Sequence, residues 1–233
     1  MKVLVSDYDK TFYLNEIDLD KNLKMVKEFR KHGNIFVFAT GRSFLDFKKV
    51  KEKHNLEYDY LILNHGATIL DNNDNTLFNI PISNEIINNL KNDLDLEKAK
   101  EYFCCSALDS RTNFNHNDLT KIRVVYNSID EAKKINELLN KKFSDYINSY
   151  IISNMAIEII SNKTDKAIAI THLLKKLNIN KKCIFTIGDS YSDLTMIKDF
   201  NGYSIKNSIK DIKEYSVKEV DSVSDLLVEL NKL

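Results

Sequence analysis

A chain of 233 residues with 43% hydrophobic and 29% charged side chains is long enough to bury a substantial core and too apolar for wholesale disorder. Its 34 basic and 34 acidic side chains cancel, which argues against a broad electrostatic surface for nucleic acid. No apolar run approaches the roughly 20 residues of a membrane span, and Met1-Lys2 leads into strand with no signal-peptide pattern, so a cytoplasmic protein without membrane or nucleic-acid partners is expected.

Val3-Leu4-Val5 begins a short apolar run that stops at Asp7. A run of this kind fits a central strand of a parallel sheet, covered on both faces and free of the need to alternate. Asp18 offers an N-cap for a helix over 19–32, with Leu23, Val26 and Phe29 as its apolar stripe and Gly33 as its stop. A second strand over 35–39 ends in Thr40-Gly41-Arg42-Ser43. A helix over 44–54, a strand over 60–63 and the turn Asn64-His65-Gly66-Ala67 follow, then short strands over 68–70 and 77–80. The β-α-β-α-β order predicts a doubly wound α/β sheet.

Pro81 marks a change of pattern. Helices are expected over 85–93 and 130–142, and strands over 101–105, 121–126, 146–152 and 156–160. The partial alternation of 121–126 and 156–160 is that of an antiparallel sheet with one exposed face. The stretch 81–161 therefore reads as a smaller inserted α+β domain, and 106–118 as a mobile polar loop within it. Tyr102, Phe103 and Tyr126 are expected in its core.

The doubly wound rhythm returns from residue 162, so the main domain comprises 1–80 and 162–233. Thr164 or Asp165 can cap a helix to 177 with Lys166 in its first turn. A strand over 183–187 runs into Gly188-Asp189-Ser190-Tyr191-Ser192-Asp193, and a helix over 194–198, a strand over 202–205 and helices over 208–215 and 224–233 complete the chain. Cys104 and Cys105 are adjacent and unsuited to bond to each other, and Cys183 falls in an apolar strand pattern; no spacing suggests zinc.

Asp7 and Asp9, at i and i+2 in a turn, can point into one small volume. There two like charges must share a proton or bind a cation. With Mg²⁺ the turn becomes an oxygen-rich site in which the first carboxylate can attack phosphorus. Strand and helix ends also carry Thr40, Lys166, Asp189 and Asp193.

This order resembles the haloacid dehalogenase superfamily of phosphotransferases. Asp7-Tyr8-Asp9-Lys10-Thr11 matches its first motif, Thr40 in Ala39-Thr40-Gly41-Arg42 its second, Lys166 its third and Gly188 to Asp193 its fourth. The insert between motifs two and three looks like the cap of the Cof-type sugar phosphatases.

The resemblance implies a catalytic set of Asp7 as nucleophile, Asp9 as acid and then base, and Thr40 and Lys166 as phosphoryl-binding groups. It implies Mg²⁺ held by Asp7, the backbone carbonyl of Asp9 and Asp189, with Asp193 steadying Lys166 or metal-bound water. Gly41, Arg42, His65 and Ser192 are candidates on the substrate side; Ser192 stands where the family often has Asn, and His65-Gly66-Ala67 where it often has Asn-Gly-Ala. The implied partner is a small phosphorylated metabolite, with the chain a monomer or weak homodimer. A phosphomutase, and a regulatory module that stores an acyl phosphate, use the same groups and stay open at this point.

Overall fold

The computed structural model describes residues 1–153 and 155–232. An eight-stranded sheet is built from β1 (Val3–Ser6), β2 (Ile35–Ala39), β3 (Tyr60–Leu63), β4 (Thr68–Asp71), β5 (Thr76–Asn79), β11 (Ile184–Gly188), β12 (Asn201–Ile205) and β13 (Lys218–Val220). Its order is β13-β12-β11-β1-β2-β3-β4-β5, parallel from β13 to β3, with β4 and β5 added antiparallel.

Both faces of the sheet are buried. Leu4, Phe36 and Phe38 pack on α1 (Glu16–Lys31), α2 (Phe44–His54) and α8 (Val223–Lys232). Their neighbours Val3, Val5, Val37 and Ala39 pack on α5 (Lys166–Leu177), α6 (Leu194–Asp199) and α7 (Lys210–Tyr215). Side chains of period two therefore serve two cores, which is why these strands read as continuous apolar runs.

Residues after Pro81 form a second sheet, antiparallel throughout, in the order β7-β6-β8-β10-β9. Its strands are β6 (Glu101–Cys105), β7 (Ser110–Thr112), β8 (Lys121–Val125), β9 (Ile147–Ser153) and β10 (Ala156–Ser161). α3 (Asn84–Asp93) and α4 (Ile129–Lys142) share its apolar core through Leu90, Ile122, Val124, Leu139 and Ile157.

Several local expectations are corrected. Asn15, not Asp18, caps α1: its side chain accepts from the Asp18 amide, and Asp18 lies in the first turn, where a carboxylate complements the helix dipole. The stretch 106–118 holds the edge strand β7, made by pairing with β6 and without an apolar pattern of its own. The edge strand β13 is likewise made by pairing, with β12, and has no apolar pattern of its own. Cys183 closes a 3₁₀ turn before β11, and Tyr102 is 45% exposed. The last helix, expected over 224–233, spans Val223–Lys232, and Leu233 lies outside the described residues.

Candidate active site

Register places the reactive groups together. Ser6, the last residue of β1, lies opposite both Phe38 of β2 and Ile187 of β11. The residues that follow these strands, Asp7, Thr40 and Asp189, therefore emerge at one carboxyl edge of the sheet, where open α/β folds hold ligands. The turn at Asp7 is anchored beneath by Tyr8, whose ring packs edge-on against Phe38 and Phe47 at 5.8 and 5.7 Å. With Tyr8 turned into the core, the two flanking carboxylates take separate partners.

Asp7 is 6% exposed, and Lys166 donates to its Oδ1 at 2.7 Å. The same ammonium, wholly buried, donates to Asp193 Oδ1 at 2.5 Å. Lys166 is the first residue of α5, where a cation opposes the helix dipole. Those two carboxylates more than offset this, and although burial alone would lower its pKa, Asp193 and Asp7 raise it. Asp193 is fully engaged, since its Oδ2 accepts from the amides of Asp189 and Ser190 at 3.1 and 2.9 Å and from the Ser190 hydroxyl at 2.9 Å.

Asp189 accepts from the Thr11 hydroxyl at 3.0 Å. One oxygen from each of Asp7, Asp189 and Asp193 falls within 4.8 Å of the others. Two of these three carboxylates thus bond one ammonium, and the third lies beside them. Burial, with Asp193 and Asp189 adding to it against the pull of Lys166, raises the Asp7 pKa well above its ordinary value. Burial and Asp193 push Asp189 up to about 6.

This donor set fits a hard divalent cation: Asp7 and Asp189 each keep an oxygen with no hydrogen-bond partner among the described residues, and the cluster lacks positive charge. Asp193 is committed to Lys166 and the turn amides.

Asp9 is not in that cluster. Its carboxylate forms a two-pronged pair with Arg42 at 2.7 and 2.6 Å. Asp7, Asp9, Thr40, Arg42, His65 and Ser192 nevertheless line one cavity of about 1040 Å³ between the two sheets. Thr40 is buried, and its hydroxyl accepts from the Arg42 amide at 3.1 Å. Gly41 passes so close to the His65 ring that a Cβ would lie 2.3 Å from it. Ser192 reaches Ser190 at 3.1 Å.

The insert contributes groups not singled out from the sequence. Glu158 of β10, 4% exposed, accepts from Lys121 and Arg123 of β8 at 3.2 and 3.0 Å and meets His65 Nε2 at 2.5 Å. An acid inside Ala-Ile-Glu-Ile-Ile, and two cations at i, i+2 on a strand, were the available signals.

A mainly parallel sheet with an acidic carboxyl edge, a buried lysine and an inserted sheet beside the site make a capped α/β enzyme. The profile of the haloacid dehalogenase-like hydrolases matches residues 4–116 and 106–226, and the chain belongs to that family. It is 29% identical to an uncharacterized protein of Mycoplasma capricolum, over 88% of this chain and 91% of that one. It is 26% identical to the 5-amino-6-(5-phospho-D-ribitylamino)uracil phosphatase of Bacillus subtilis, over 85% and 81%. A haloacid dehalogenase-like hydrolase from Bacteroides thetaiotaomicron superposes with a TM-score of 0.81 at 17% identity, over 98% of this chain and 99% of that chain, a likeness of fold.

Proposed function

We propose that this chain is a magnesium-dependent phosphatase of small phosphate monoesters, sugar phosphates among them, acting in the cytoplasm through an aspartyl phosphate on Asp7. The observation that carries this reading is the buried Asp7–Lys166–Asp193 array beside Asp189 and Thr40. Family membership and the Bacillus relative's activity support the reaction class.

Lys166 donates to the Asp7 carboxylate and orients it, and an Asp7 oxygen attacks phosphorus as the ester P–O bond breaks. Asp9, released from its Arg42 pair and protonated as substrate enters, gives a proton to the departing alcohol, then takes one from the water that cleaves the acyl phosphate and releases inorganic phosphate. Thr40 and the Gly41 amide donate to phosphoryl oxygens, and Lys166 offsets their charge. Asp7 and Asp189 would hold the metal, which would neutralise phosphate charge when bound. Arg42 keeps Asp9 at the cavity wall, and the insert covers the site and shapes it for a small metabolite.

The purified chain is expected to hydrolyse p-nitrophenyl phosphate with Mg²⁺ and not with EDTA. Asp7→Asn should lower turnover by at least about 10⁴-fold. Retained turnover in that variant removes Asp7 from its role, and isomerised sugar without free phosphate would make the enzyme a mutase.

A further inference from the structure

The loop that follows β2 is held by three successive carbonyls. The Thr40 carbonyl accepts from the His65 amide at 3.1 Å, and the Arg42 carbonyl from the Asn64 amide at 3.0 Å. Between them the Gly41 carbonyl accepts from Lys121 Nζ at 2.6 Å, a side chain that belongs to the insert. A trans peptide is planar, so its carbonyl and amide point opposite ways and fixing one fixes the other. The Gly41 carbonyl belongs to the same peptide as the Arg42 amide, and that amide donates to Thr40 Oγ1. A hydroxyl that accepts this bond keeps its proton to give, and among the described residues that proton has no acceptor.

Lys121 is itself aimed. It is 2% exposed, and Glu158 accepts from it. Glu158 lies directly across from Arg123 in the β8–β10 pair, so Lys121 is its diagonal neighbour on the same face. His65 takes the other Glu158 oxygen, and its ring fills the space over Gly41. Asn64 adds a second tie to the insert by donating to Thr120 Oγ1 at 3.1 Å.

We propose that Lys121, held by Glu158, is a positioning residue for the phosphoryl-binding loop: it sets the Gly41–Arg42 peptide so that the Thr40 hydroxyl presents its proton to the substrate phosphate. The insert is then part of the phosphate site as well as a cover over it. The proposal rests on the phosphatase reading for its effect on turnover, and on the loop geometry alone for its effect on the Arg42 amide.

The test compares wild type with Lys121→Met and Glu158→Gln. Turnover of p-nitrophenyl phosphate with Mg²⁺ is measured alongside hydrogen exchange of the Arg42 amide in the substrate-free protein. Both variants are expected to lose about tenfold or more in kcat with KM within about threefold, and to exchange the Arg42 amide about tenfold faster. A role confined to overall stability would move neither kcat at a temperature where the variants stay folded nor this one amide ahead of its neighbours. Unchanged kcat, or unchanged Arg42 exchange, overturns the proposal. Should Lys121→Met not fold, Glu158→Gln decides by the same two readouts. Wild-type protein without turnover refutes the phosphatase reading instead, and Arg42 exchange then decides the positioning role.

Discussion

Two clusters of buried charge face each other across the cavity, and they are unbalanced in opposite senses. On the main sheet, Asp7, Asp189 and Asp193 cluster beside a single lysine, Lys166, which bonds Asp7 and Asp193. On the insert, Glu158 alone faces Lys121 and Arg123, and His65 reaches it from the main domain. Burial raises a carboxylate's pKa in both places. In the first it wins: Asp7 is raised and Asp189 pushed up to about 6. In the second Lys121, the His65 hydrogen bond and Arg123 overcome burial and hold Glu158 well below the usual carboxylate range. Like surroundings of dry protein thus give opposite shifts, and the count of cations decides the sign. The first cluster suits a further cation, whereas the second is complete.

Removing the shared cation should break this comparison most sharply. Lys166→Met leaves Asp7 and Asp193 buried without their common partner, so a loss of about 3–5 kcal/mol is expected in urea unfolding of the metal-free protein. Turnover should fall with it. A variant as stable as wild type would show that the ion pairs contribute nothing net.

A smaller effect is expected from Glu158→Gln. A depressed folded pKa adds stability above the unfolded value, near 4.3, that is lost as pH falls below it. The variant should be about 2 kcal/mol less stable at neutral pH and show a flatter acid limb below about pH 4. Parallel acid limbs would mean that Glu158 does not titrate apart from the unfolded chain.

The smallest concerns Asp189. A raised folded pKa adds stability that is full below the unfolded value and is lost as pH rises through about 6. Metal-free protein should therefore lose about 1–2 kcal/mol from this group between pH 5 and 7.5, and Mg²⁺ should restore it at the higher pH. Thermal melts with EDTA and with MgCl₂ at both values read this directly; a metal effect equal at both would contradict it.

Much of this architecture was legible in order. The apolar runs of β1, β2, β3 and β11 mark strands buried on both faces, and the polar groups that stop them sit where ligands bind. Lys166 could be singled out from many lysines only by its place in a motif series, and its burial confirms that it is no surface cation. Glu158 and Lys121 could not be read this way. A charge within an apolar strand has no partner until another strand is laid beside it, and Asp9 and Arg42 are 33 residues apart in the chain.

Local pattern determined where most strands and helices form, the edge strands β7 and β13 excepted, and which polar groups end the central strands, because periodicity acts over a few residues. Only tertiary structure decided that Tyr8 turns inward and parts Asp7 from Asp9, that Asp7 and Asp193 share one lysine, and that the insert reaches Gly41. Such contacts depend on Coulomb and hydrogen-bond terms that act over a few ångströms, between groups that the chain itself keeps far apart.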